Sequence, residues 1–206
     1  MKHTYHDANL AEAARLAEKY KMTMADGLFY LDTREPFVTV SPAAVTLALT
    51  AKALYTASQF PVLGGQYFVR PGKKLLIHLF GVMTTGITPG NGSFNVYYGT
   101  GADATGVLLM TGTPAALTAS QTALTWSAEI VVTCITTGSA GTLRCTGMAK
   151  FNEALQAPMQ MLPTATAAVS GACDLTAANI ISVQYLRSGS TAETMQVIDM
   201  RVVALN

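Results

Sequence analysis

The sequence predicts a mainly β fold: an antiparallel, jelly-roll-like β-sandwich preceded by an N-terminal helix and an extended arm. Three observations carry that expectation. The stretch LTWSAEIVVTCITTGSAGTLRCTGMAKF, residues 124–151, reads as two long strands joined by a Gly-Ser-Ala-Gly loop. In its first strand Trp126, Ala128, Ile130, Val132 and Cys134 alternate with Ser127, Glu129, Val131 and Thr133, a period of two that marks a sheet with one face more buried than the other. Strand-like runs punctuated by Gly and Pro fill the chain from Gln66 to Leu205 without alternating helices, which favours packed antiparallel sheets. The third observation, long strands with uneven loops, favours a jelly roll over a small barrel.

The chain opens with a helical signature. Asn9 and Glu12 have capping-box spacing, and Leu10, Ala13, Ala14, Ala17 and Tyr20 fall on one side of a helix that ends near Lys21. That stripe is mostly alanine, so the helix is marginal without a surface to dock on. Asp26-Gly27, Glu35-Pro36 and Ser41-Pro42 then keep the chain extended. Val45, Leu47, Leu49, Ala51 and Ala53 alternate as a strand over 45–55, so this segment is an extended arm or the opening strands of the sheet. Residues 1–60 are thus expected to form a helix and an arm that acts on a neighbouring subunit, and residues 61–206 the sandwich domain.

Within that domain, strands are expected at 66–69, 74–85, 93–98, 107–111, the two arms of the central hairpin, 179–187 and 194–205. Arg70-Pro71-Gly72-Lys73 places Pro and Gly as a type II turn requires, and Pro89-Gly90-Asn91-Gly92 is a second turn. Residues 154–176, broken by Pro158 and Pro163, read as a connection without a long helix. In the last hairpin Ile181, Val183 and Tyr185 are expected to face inward. In the central one, pairing Thr137 with Thr142 would set Cys134 directly across from Cys145.

Composition narrows the function classes. Charged residues make up 12% of the 206 positions, against about 25% in an ordinary soluble protein, while half the residues are hydrophobic. The net charge of +1 gives no basic patch for nucleic acid or an anionic membrane. The most apolar run, 75–83, is interrupted by His78 and Gly81 and falls far short of the roughly 20 residues of a spanning helix. The polar opening MKHTYHDANLAEAARLAEKYK has no apolar signal core. Low charge at a mean hydropathy of +0.33 therefore points to a protein that buries its surface against copies of itself or other partners.

No catalytic, cofactor-binding or metal-ligating set is assigned. His3-x-x-His6, followed by Asp7, has metal-like spacing, but no further ligand is recognisable to complete the set. His78 lies mid-strand and reads as a core or interface histidine. Gly99, Gly101 and Gly106 in YGTGADATG look superficially like a phosphate loop, yet no Lys-Ser/Thr follows. Tyr97 and Tyr98 are candidates to stack on a sugar. Asp174, Glu193 and Asp199 have no partner at readable spacing, and there is no EF-hand string. No Gly-x-Ser-x-Gly and no paired carboxylates suggest a hydrolase. The three cysteines, Cys134, Cys145 and Cys173, do not make a disulfide framework and read as reduced, buried small residues.

The strings LTASQTALTW, GTLRCTG and SGSTAETMQVIDMRVVALN resemble virion structural proteins of tailed bacteriophages, over roughly residues 65–206. The resemblance implies a non-enzymatic β-sandwich component of the particle, foremost a capsid decoration protein that cements the head as a homotrimer. Its implied partners are copies of itself and the major capsid protein or another virion protein. Its implied location is the virion, assembled in the host cytoplasm. The alternative it implies is a receptor- or glycan-binding head or tail module using the loop from Tyr97 to Gly106.

Overall fold

A computed structural model describes residues 43–60, 63, 67–152, 159–163, 169–189 and 192–205. The expected helix at 9–21 and the arm up to residue 42 lie outside the described residues, as do His3, His6 and Asp7. Among the described residues no helix is long and apolar enough to cross a membrane.

Among the described residues the chain is mainly β, with eleven strands in two antiparallel sheets. In chain order they are β1 (Val45–Thr46), β2 (Lys52–Ala53), β3 (Lys74–Thr84), β4 (Asn91–Gly99), β5 (Val107–Thr111), β6 (Ala115–Ala116), β7 (Leu124–Thr136), β8 (Thr142–Phe151), β9 (Met159–Leu162), β10 (Ile180–Arg187) and β11 (Thr194–Ala204). The larger sheet, sheet A, runs β1-β11-β3-β7-β8-β9; the smaller, sheet B, runs β2-β10-β4-β5, with β6 added to β4. In each sheet a strand from the end of the chain is inserted between early ones: β11 between β1 and β3, and β10 between β2 and β4.

The alternation read in residues 126–134 holds, with Trp126, Ala128, Ile130, Val132 and Cys134 all buried. Their faces meet the inward side of sheet B. Phe94 on β4 lies 5.7 Å from Trp126 and 4.9 Å, edge to face, from Tyr185 on β10, and Phe151 on β8 packs 5.8 Å from Phe94. Tilted and edge-on rings at these spacings are the favourable aromatic arrangements, and this quartet lies in the core between the sheets.

The expected turn at 70–73 forms. The Lys73 N–H reaches the Arg70 carbonyl at 3.4 Å and Gly72 has φ +87°, a backbone that costs a residue without a Cβ little. Several boundaries differ from expectation. Tyr67 and Phe68 form a turn instead of a strand, with both rings buried in the core. Asn91 and Gly92, expected in a turn, already belong to β4. β6 and β9 were not anticipated: two alanines carry no strand signal, and Met159–Leu162 sits in a stretch whose prolines suggested only a loop.

The central hairpin is also out of its expected register. Thr136, not Thr137, pairs with Thr142, and a bulge around Ile135 takes up one more residue. Cys134 therefore faces Leu143 and Cys145 faces Val132. A bulge leaves one residue unpaired and shifts all pairing beyond it, and nothing in the alternation announces it.

Residues 43–60 supply the opening strands. They do not form one strand over 45–55: β1 pairs with β11, β2 with β10, and the chain crosses from one sheet to the other between them. Leu47, Ala51, Leu54, Tyr55 and Phe60 are buried, whereas Leu49 is 70% exposed at the crossing. The Tyr55 hydroxyl donates to the Ile181 carbonyl at 2.8 Å and accepts from the Val183 N–H at 3.0 Å.

Candidate functional site

Three places in the fold concentrate polar or exposed apolar groups. The first is the loop between β4 and β5 and the cleft beside it. Residues 100–106 fold back over β10 instead of projecting. Gln184, fully buried, accepts from the Ala104 N–H at 2.7 Å and donates to the Ala102 carbonyl at 3.0 Å and to Ser182 Oγ at 3.1 Å. Gly106 has φ +102°, and a Cβ there would lie 2.4 Å from the Tyr98 carbonyl oxygen. The glycines read as a superficial phosphate loop thus let the loop close on its own sheet.

At the loop's tip, Asp103 accepts from Lys52 Nζ at 2.7 Å and from the Ala53 N–H at 2.8 Å. Partial burial pushes this carboxyl upward, and the two hydrogen bonds and the Lys52 charge outweigh that, so it ionises below its ordinary value. A cleft of about 550 Å³ opens next to it, lined by Val45, Tyr55, Thr56, Gln59, Gly101 and Asp103 among others.

Tyr98, a candidate sugar platform, is buried, and Tyr97 beside it is half-buried. Burial pushes the Tyr98 phenol up to about 12, against the pull of a hydrogen bond with Asn179; the nearby Cys173 and Asp174 push it the same way as burial.

The second place is a buried ion pair at the end of the β10–β11 hairpin. Glu193, fully buried, meets Arg187 Nε at 3.0 Å. The same Nε donates to the Leu47 carbonyl at 2.8 Å, and Arg187 Nη1 donates to the Gly189 carbonyl. The Leu47 N–H in turn bonds the Glu193 carbonyl at 2.9 Å. The group ties the opening segment to the closing hairpin and is a structural clasp. Glu193, read in the sequence as partnerless, has its partner six positions earlier across the hairpin, a pairing that exists only once the register is known. Burial, and then the Glu193 charge, pushes the neighbouring Tyr185 phenol up.

The third place is the outward face of sheet A. Three cross-strand rows run over β11, β3, β7 and β8: Asp199–Phe80–Ser127–Lys150, Arg201–His78–Glu129–Met148 and Val203–Leu76–Val131–Thr146. Phe80 is 37% exposed and Met148 43%. A hollow of about 260 Å³ lies on this face, lined by Phe80, Thr125, Trp126, Ser127, Lys150 and Asn152. His78, expected as a core or interface histidine, is exposed here and so does not belong to the core. Its direct neighbours are Glu129 and Arg201.

Among the described residues the remaining carboxylates and thiols are not gathered. Asp174 accepts from the Thr176 hydroxyl at 2.5 Å and its N–H at 2.9 Å, which closes a local turn and holds the acid below its ordinary value. All three cysteines are unbridged and buried; burial pushes the Cys145 thiol up to about 12 and raises the other two, which makes them poor nucleophiles. Among the described residues no three His, Cys, Asp or Glu side chains converge as a metal site would require. No protein-family model, no curated protein and no solved structure significantly matches this chain.

Proposed function

We propose that this chain is a non-enzymatic structural protein of a tailed-bacteriophage particle, a capsid decoration protein that binds and stabilises the head as an oligomer. Its fold in this reading is a jelly-roll-like sandwich. The observation that carries it is the strand order. One sheet contains the order β1-β11-β3-β7 and the other runs β2-β10-β4-β5, an order that supports reading the two sheets as an eight-strand jelly roll, an architecture used by viral capsid proteins and lectins. A fold alone does not set function. The surface supplies the second support, since Leu49, Ile87, Met159 and Met161 stand more than half exposed on a chain with only 12% charged residues. Apolar side chains at loops and edges suit burial against other subunits.

The partners in this reading are copies of the chain, as a homotrimer, and the major capsid protein or another virion protein. The alternative, a receptor- or glycan-binding module, relied on the loop from Tyr97 to Gly106. The closure of that loop on β10 and the burial of Tyr98 weigh against it. Mass spectrometry and cryo-EM of particles from the source of this gene test the proposal. The expected result is the two-sheet domain at regular positions on the outer head surface. Purified particles that lack the chain would contradict it, and specific hits on a glycan array would favour the alternative.

A further inference from the structure

We propose that the outward face of sheet A binds the same face of a second copy, about a two-fold axis that runs along the strands between β3 and β7. This inference stands on the face itself and does not depend on the virion reading. Strands lie about 4.8 Å apart, so Asp199 on β11 and Lys150 on β8 each sit about 7 Å from that axis, on opposite sides. The two-fold therefore brings Asp199 of one copy over Lys150 of the other, and the converse, as an isologous contact requires.

The same operation sets His78 over Glu129, Leu76 over Val131, Val203 over Thr146 and Arg201 over Met148, where an arginine stem covers an apolar side chain. No pair in the three rows opposes like charges. Among the described residues none of Asp199, Lys150, Glu129 or Arg201 is engaged in an ion pair.

Shape agrees with charge. Phe80, one of the exposed large apolar side chains, lands over Ser127 of the second copy, at the hollow of about 260 Å³ that the second copy's Phe80, Ser127, Lys150 and Asn152 help to line. Each copy thus offers one exposed aromatic ring and the hollow that this ring borders. The neighbouring axes are worse. An axis on β7 opposes Glu129 to its own copy, and an axis on β3 stacks Phe80 on Phe80 and leaves both hollows empty. Two twisted sheets can meet face to face in this way at about 30°.

The contact pairs subunits two at a time. The assembled mass is then an even multiple of 21.7 kDa, whether or not three-fold contacts form elsewhere. The experiment is sedimentation equilibrium of the full chain and of Asp199→Lys, Lys150→Asp and the double exchange, with circular dichroism to confirm that each folds. Each single exchange opposes like charges and is expected to weaken dimerisation about tenfold or more; the double exchange should restore it to within about threefold.

A second measurement is carbodiimide cross-linking of mixed labelled and unlabelled chains, in which a Lys150–Asp199 link between differently labelled copies is expected. A monomer, a trimer that does not pair into a hexamer, single exchanges without effect, or a double exchange that fails to rescue would overturn the proposal. So would links from Lys150 only to residues 1–42 of its own chain. None of these results bears on whether the chain resides in a particle, which the reconstruction tests separately.

Discussion

Strands β7 and β10 are both central to their sheets, yet they use their outward faces in opposite ways. On β10 every residue from Ile180 to Tyr185 is buried. Its inward set packs on the aromatic core, and its outward Ser182 and Gln184 lie beneath the 100–106 loop, with Gln184 hydrogen-bonded to that loop's backbone. On β7 burial alternates, and Ser127, Glu129, Val131 and Thr133 remain partly or fully open among the described residues. Sheet B closes its outward face over β10 with its own chain and polar side chains. Among the described residues nothing covers the outward face of sheet A, which carries apolar residues and complementary charges in register. The contrast teaches where a partner can be received: the face that the described residues leave open.

The largest expected effect lies in the aromatic core between the two sheets. Trp126→Ala removes the ring packed on Phe94 and Phe151 and should cost about 3–5 kcal/mol, as large-to-small core changes do. Trp126→Phe should cost far less than Trp126→Ala, because the indole N–H is buried with no acceptor among the described residues and its removal leaves nothing newly unpaired. Chemical denaturation of both variants measures this. Equal losses would mean that ring size, and not aromatic contact, sets the core.

Next in size is the covered face. Gln184→Ala strands the Ala104 N–H and the Ala102 carbonyl and should cost about 1–3 kcal/mol. Thr146→Ala on the open face of sheet A should fall within about 0.5 kcal/mol of wild type in the same assay. Similar losses at the two sites would erase the distinction between closed and open faces.

How much of this contrast could be read beforehand follows from its physical origin. The alternation of residues 126–134 is a property of one strand, so the buried face of β7 was legible. The six-residue burial of β10 was not: Ser182 and Gln184 are polar, and only a loop some 80 residues earlier in sequence makes them interior. The hairpin register was missed for a related reason, since the bulge near Ile135 leaves the alternation of Trp126 to Cys134 untouched. The clasp of Arg187 and Glu193 and the rows on sheet A depend on which strands become neighbours. Insertion of β11 and β10 between early strands is a long-range outcome that no local pattern encodes. The candidate residues at 97–106 were seen as a cluster, but their glycines signalled close approach to the chain's own backbone.

A smaller effect concerns the tip of the loop that closes sheet B. The Asp103 carboxyl ionises below its ordinary 3.8 in the fold. Its contribution is therefore present above the unfolded value and is lost as pH falls through the lower, folded one. Asp103→Asn should be slightly less stable than wild type near neutrality, by well under about 1 kcal/mol for so exposed a pair. The difference should shrink as pH falls below 3.8 and vanish once pH is below the lower, folded value. Thermal melts across that range check it, and a difference that grew in acid would reverse the sign and refute the assignment.

The most direct test of the central contrast is hydroxyl-radical footprinting of the full chain as it is diluted from about 100 µM to about 0.1 µM, a span that crosses typical micromolar dissociation constants. The account predicts that Phe80 and Met148 on sheet A gain reactivity on dilution, while buried Tyr98 stays protected throughout. Reactivity at Phe80 and Met148 that does not change with concentration would contradict it.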